Sequence, residues 1–214
     1  MEEDISKMRR SYGEVGLSES SLPNDPIEQF VLWLKEAAAN KYIVEPNAMV
    51  LSTIHNGAPI SRTVLLKDVS GRNFTFFTNY NSRKGSDISS NPKVSLLFPW
   101  YPMERQVIVT GSASRIKESD SISYFATRPW NSQIGAWASE QSQPLDSRES
   151  LEKRWNEFAT KYPEGTSVPK PPHWGGYAVI ADTIEFWQGR YSRLHDRIRF
   201  LHDETGWKHH RIFP

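Results

Sequence analysis

The sequence predicts a predominantly antiparallel β fold with accessory helices, and three observations predict it. Short runs rich in β-branched and aromatic residues are broken by compact turn signals such as HNG, GRN and DETG, as in hairpin-linked strands. The clearest helical periodicity lies in two stretches, DPIEQFVLWLKEAAANK and DSRESLEKRWNEFATKYP, too few for a regular strand-helix-strand alternation. Strands joined this way argue for an antiparallel barrel and against a doubly wound parallel sheet. At 214 residues with 37% hydrophobic content, the chain can bury roughly 70% of its unfolded surface, enough for a proper core.

Taken in order, residues 1–22 are polar, glycine-containing and unpatterned, so they read as a flexible arm ahead of a single domain over 23–214. Asp25 and Pro26 supply an N-cap and a first helical residue, after which Ile27, Phe30, Val31, Leu34 and Ala38 recur on one face. AMVLSTI, PISRTVLLKDV and FTFFTN then form a meander around the HNG and GRN turns. NSRKGSDISSNP reads as a short helix capped by Ser82 and stopped by Pro92. KVSLLFPW and RQVIVTGSASRI are two further strands. SISYFATRP is helical up to Pro129, and the second long helix carries Asp146 and Glu149 at capping-box spacing, with Leu151, Trp155, Phe158 and Tyr162 along one side. GGYAVIADTIEFWQG and RIRFLHDETGWKHHRI return to strands.

Charge narrows the function classes. Lys and Arg number 26 against 25 Asp and Glu, so nothing draws the whole molecule to nucleic acid or to an anionic membrane, and anion binding must come from local clusters. The absence of cysteine excludes disulfides, thiolate metal sites and cysteine nucleophiles. The amino-terminal MEEDISKMRRSYGEVG lacks the apolar core of a signal peptide, and no apolar run approaches ~18 residues, so a cytoplasmic protein is the expectation.

Four clusters could carry chemistry. In SRTVLLK, strand alternation sends Arg62 and Lys67 to opposite faces, as ligands for two groups or as solvated edge charges. Ser82, Arg83, Lys84 and Gly85 open a helix, where two cations oppose the helix dipole unless a bound anion such as phosphate resolves the conflict. Tyr124 and Arg128 share a helical face just ahead of Ser132, either as a phosphate set or as a packing pair. In EFWQGRYSRLHDR, Arg190, Arg193 and Arg197 surround His195 behind Trp187. Read as extended chain, Arg193, His195 and Arg197 share one face, a pocket for an aromatic ligand with acceptor atoms. No second histidine lies at ligand spacing, so no metal is expected, and the His202, His209 and His210 group reads as exposed strand surface. A hydrolytic triad lacks a nucleophile elbow.

Together and in this order, RRSY, SRTVLLK, FFTN, SRK, NPKVSLLFPW, ERQV, TRPWNSQIGAWASEQS, PHWGG, EFWQG and RLHDR resemble the pyridoxine/pyridoxamine 5′-phosphate oxidase family, across nearly the whole chain. The resemblance implies an FMN-binding split β-barrel homodimer. It implies oxidation of pyridoxamine 5′-phosphate and pyridoxine 5′-phosphate to pyridoxal 5′-phosphate, with oxygen as acceptor and hydrogen peroxide as product. Carried over by position, Arg62, Lys67, Phe77, Thr78, Arg83, Lys84, Gln106, Gln141, Ser142, Trp187 and Arg197 would hold FMN, some from the second subunit. Lys67, Tyr124, Arg128 and Ser132 would hold the substrate phosphate. Arg193 and His195 would be catalytic over the pyridine ring with Leu194 beside them, and Arg9 and Tyr12 would close as a lid. The proton acceptor stays open between His195 and water. Ser11 in RRSY and the terminal RIFP depart from the family's pattern. A flavin reductase of the same architecture and a non-catalytic flavin or pyridoxal-phosphate carrier are the alternatives, and neither nucleic acid nor membrane is expected as a partner.

Overall fold

A computed structural model describes residues 11–214. In chain order the elements are α1 (Pro26–Ala39), β1 (Ala48–His55), β2 (Ala58–Leu65), β3 (Asp68–Ser70), β4 (Asn73–Asn79), α2 (Arg83–Ser90), β5 (Lys93–Trp100), β6 (Arg105–Arg115), α3 (Glu118–Ala126), α4 (Trp130–Ala138), α5 (Arg148–Lys161), β7 (Trp174–Gln188), β8 (Asp196–Asp203) and β9 (Gly206–Arg211). The strand order is β2-β1-β5-β6-β7-β4-β3, with β8 beside β7 and β9 beside β8. β3 with β4, β4 with β7, β7 with β8 and β8 with β9 all pair antiparallel. The meander expected from the sequence is instead two hairpins, β1 with β2 and β3 with β4, at opposite ends of the strand order, because PISRTVLLKDV divides into two strands. Its first turn carries Asn56 and Gly57 at φ 49° and 80°, the left-handed pair that a two-residue hairpin loop needs. Among the described residues no helix is long and apolar enough to cross a membrane.

The chain divides into two compact units. The first comprises the chain up to Val50, Ser95–Thr110 and Ala181–Pro214. Its core packs Phe30 and Trp33 of α1 against strand aromatics, with Phe30 4.8 Å from Phe98 and Trp33 5.3 Å from Phe186. Asp25 caps α1 by accepting the Ile27 amide at 2.9 Å, as the sequence predicts. Within the arm, the Leu17 amide donates to Asp196 at 2.9 Å and the Gly13 amide to Glu104 at 2.8 Å.

The second unit comprises Leu51–Val94 and Gly111–Ile180. β4 pairs with the first half of β7, Phe74 opposite Val179 and Phe77 opposite Gly176. Phe125, Ile134, Val168 and Trp174 form a second buried cluster under the α3–α4 segment. Two local readings need correction. WNSQIGAWA is helical, so Pro129 is the N-cap of α4 and not merely the end of α3; proline suits that boundary because a helix start needs no amide donor there. The α5 cap is Ser147, whose hydroxyl accepts the Ser150 amide at 3.1 Å, in place of Asp146.

Candidate functional site

The turn between β4 and α2 builds one end of a cavity. Ser82 closes the α2 N-terminus, its hydroxyl donating to the Asn79 carbonyl at 2.6 Å and accepting the Gly85 amide at 3.4 Å. Gly85 is required there, because a Cβ would sit 2.1 Å from the Tyr80 carbonyl oxygen. The tight turn buries Lys84, whose Nζ donates to Gln141 Oε1 at 3.1 Å and to Ser82 Oγ at 3.3 Å. Burial, then the charge of Arg62, pulls the Lys84 ammonium down to about 8, with Asp87 opposing. Thr78 donates to the same Gln141 oxygen at 3.1 Å, and the following residue, Ser142, holds φ 74°.

The cavity measures about 640 Å³ and is lined by Lys67, Phe77, Thr78, Lys84, Tyr124, Arg128, Ser132 and Gln141 among others. That volume suits a small-molecule site. Cations and aromatic rings share its lining, where Phe77 stacks on Tyr124 at 3.9 Å and on Trp174 at 5.3 Å. Arg128 lies over the Trp174 ring at 4.7 Å. Its Nη1 is buried and has no hydrogen-bond partner, and burial lowers its pKa. A guanidinium nitrogen left unpaired this way is costly unless a ligand oxygen meets it. Lys67 lies just past the end of β2, and its amide donates to Thr75. Neither Arg62 nor Arg83 lines the cavity, although both act electrostatically within this cluster.

The sequence reading missed Trp174 and Asn79 as cavity walls. The signal was the GG after Trp174: a Cβ on Gly175 would sit 2.0 Å from the Tyr80 hydroxyl, so this strand can run only where it does without side chains.

The other candidates belong to the first unit. Trp187 faces Arg197 across β7 and β8, and Tyr12, Trp187 and His195 form a ring cluster with centroids 4.8–5.7 Å apart. Gln106 lies on β6. Arg9 lies outside the described residues. The stretch 193–197 is not uniformly extended: residues Tyr191–Arg193 form a short turn with Ser192 and Arg193 at φ 56° and 61°, and β8 starts at Asp196. Left-handed backbone at two consecutive non-glycine residues costs energy and tends to occur at functional sites. The three arginines also differ. Arg190 pairs with Asp196 at 3.3 Å and Arg197 with buried Glu185 at 2.7 Å, so the chain itself supplies anions to two of them. Arg193 has no acidic partner among the described residues. The His195 pKa is lowered, by burial and then by the Arg193 charge. Its Nδ1 takes the Arg190 amide at 3.0 Å, which puts the proton of the neutral ring on Nε2.

Comparison with solved structures gives the class. The fold matches PhzG from Burkholderia lata 383, solved in complex with tetrahydrophenazine-1-carboxylic acid, with TM-score 0.87 and 28% identity over 96% of this chain and 100% of that one. It also matches a pyridoxamine 5′-phosphate oxidase-related, FMN binding protein from Nostoc punctiforme, with TM-score 0.71 and 14% identity over 90% and 100% of the two chains. The fold class is thus the split β-barrel that these two proteins share. The model of the family described as pyridoxamine 5′-phosphate oxidase matches residues 35–162, and the pyridoxine 5′-phosphate oxidase C-terminal dimerisation region matches residues 174–214. A pyridoxine/pyridoxamine 5′-phosphate oxidase of Rubrobacter xylanophilus is 50% identical over 99% of this chain and 97% of its own length. The chain belongs to the pyridoxamine 5′-phosphate oxidase family and is an oxidoreductase.

Proposed function

We propose that the chain is an FMN-dependent oxidase converting pyridoxamine 5′-phosphate and pyridoxine 5′-phosphate to pyridoxal 5′-phosphate, with oxygen as electron acceptor and hydrogen peroxide as product. It works as a homodimer in this reading, residues 23–214 forming the FMN-binding domain and residues 1–22 an arm that closes as a lid. The observation that carries the reading is the unpaired buried Nη1 of Arg128 in a cavity that also holds Lys67, Tyr124 and Ser132. A guanidinium, an ammonium, a phenol and a hydroxyl converging on one space is a phosphate-binding set, which a flavin reductase that uses a nicotinamide gives no reason for.

The residues fit FMN at the other end. Lys84, desolvated beside the capped start of α2, gains stabilisation from a phosphate there, and Arg62, Arg83 and Lys67 add charge. Phe77, Thr78, Gln141 and Ser142 would line the cofactor, with Gln106, Trp187 and Arg197 completing the set. Bound FMN would supply two-electron acceptor chemistry that oxygen regenerates. The protein's own work is orientation: Lys67, Tyr124, Arg128 and Ser132 hold the substrate phosphate and so fix where the amine- or alcohol-bearing carbon lies. Arg193, Leu194 and His195 would face the pyridine ring. With Nδ1 occupied, His195 donates from Nε2 to an acceptor on the substrate, which favours water as the eventual proton acceptor. Tyr12, edge-on to His195 at 5.3 Å, and Arg9 would close over it.

A visible spectrum of the FMN-reconstituted protein, taken before and after anaerobic addition of pyridoxamine 5′-phosphate, tests this. The yellow chromophore should bleach and return with peroxide when air is admitted. A spectrum unchanged by the substrate overturns the reading.

A further inference from the structure

Asp87, near the middle of α2, is a carboxylate whose side chain is only 1% exposed, and no step proposed above uses it. It accepts Thr53 Oγ1 at 2.6 Å and the Nδ1 of His55 at 2.7 Å, both from β1, and Arg62 Nη2 at 3.4 Å from β2. Thr53 is a relay, since the oxygen that donates to Asp87 also accepts Arg62 Nη1 at 2.6 Å. A further contact joins Nη1 to the Leu51 carbonyl at 3.3 Å. Both terminal nitrogens of Arg62 are therefore held by the Asp87–Thr53 pair and the β1 backbone. A guanidinium carries five N–H donors in a rigid fork. Clamping it by its terminal edge leaves Nε–H and the outer Nη2–H, the side-on pair that suits a phosphate.

We propose that Asp87 is a positioning residue for the cofactor phosphate: with Thr53 and His55 it fixes the Arg62 guanidinium by one edge so that the other is presented to the anion. The proposal rests on the FMN reading above and assigns Asp87, Thr53 and His55 a part in it. A purely structural ion pair between α2 and the hairpin is the plainer account, and charge separates the two. Arg83 and Lys84 lie in the same cluster, so removing a carboxylate makes the site more positive, and Coulomb's law alone then gives tighter binding of a phosphate dianion. Positioning gives the opposite sign, because a freed Arg62 must be ordered on binding at a cost in side-chain entropy.

The experiment is titration of apoprotein with FMN and, separately, with riboflavin, which lacks the phosphate, followed by quenching of flavin fluorescence. Asp87→Asn keeps the shape of the side chain. It should weaken FMN about tenfold, the size of one charge-assisted hydrogen bond, while the riboflavin affinity stays at its wild-type value. In an Arg62→Ala background the same change should have no further effect. Unchanged or tighter FMN binding by Asp87→Asn overturns the proposal, and so does an equal loss of both flavins, the mark of a fold defect. Should Asp87→Asn fail to fold, Thr53→Val breaks the relay and faces the same two criteria. If the wild-type protein binds neither flavin, the FMN reading fails and the proposal with it; if wild type binds FMN and the variants match it, only the proposal fails.

Discussion

Lys84 gives the clearest prediction at the scale of single residues. Its ammonium is pulled down to about 8 from an ordinary 10.5, burial first and Arg62 second. Below pH 8 the free protein therefore carries the full cost of a desolvated charge; that cost fades as pH rises toward 10.5, because the unfolded chain there binds more protons than the folded one. An anion beside Lys84 reverses the preference and pulls its pKa back up. FMN binding should thus take up a proton above pH 8, and affinity should fall by up to about tenfold per pH unit over that range. Calorimetry in buffers of different ionisation enthalpy measures the uptake directly. Lys84→Arg should flatten the pH profile, since arginine stays charged throughout; a profile equally steep in that variant would remove Lys84 as its source. His195 offers a second check. Its pKa is lowered partly by the Arg193 charge, so Arg193→Ala should raise it, as followed by imidazole proton shifts. The same variant should lower turnover far more than FMN retention if Arg193 serves the substrate side.

At the scale of elements, α2 shows how much of the site was legible. The Ser82 cap and the paired cations were readable because each answers a local demand, a free amide and a dipole in conflict with charge, whereas the close approach of the Tyr80 carbonyl that requires glycine at position 85 shows only in the structure. Gly85→Ala should accordingly cost about 1–3 kcal/mol of stability, the range for forced overpacking, and should reduce FMN retention along with it, as read by melting temperature and the flavin-to-protein absorbance ratio. An unaltered melting temperature would mean that the Tyr80 carbonyl gives way freely. What local reasoning could not see came from long-range pairing. Nothing near Arg62 in sequence announces Thr53 and Asp87 as partners, 9 and 25 residues away. Likewise Asp196 and Glu185 neutralise Arg190 and Arg197 through side-chain pairings that the extended reading of 193–197 did not provide. The α4 helix escaped notice because Pro129 reads equally well as a stop and as a start, and only the buried Ile134 and Ala138 reveal the packed face that decides it.

For the whole molecule the question is assembly. Residues 174–214 match a dimerisation region, and within them Phe213, Leu194 and Tyr191 are exposed at 94%, 70% and 64%. Single exposed apolar residues are ordinary, but several within one short span mark an interaction surface. Formal charge of +1 gives two copies little reason to repel. A symmetric dimer would use such a surface twice, so one substitution acts at two places. The chain should therefore sediment as a dimer at micromolar concentration, and its melting temperature should rise with protein concentration because the partner stabilises the native state by mass action. Replacing Phe213 and Leu194 together by aspartate should shift the population toward monomer without unfolding it, since neither side chain is buried within its own unit. FMN retention measured on the monomer fraction then asks whether the cofactor needs the second subunit, as the family resemblance implies. A variant that stays dimeric would move the interface away from these residues, whereas a monomer that keeps its flavin at full affinity would assign the whole cofactor site to one chain.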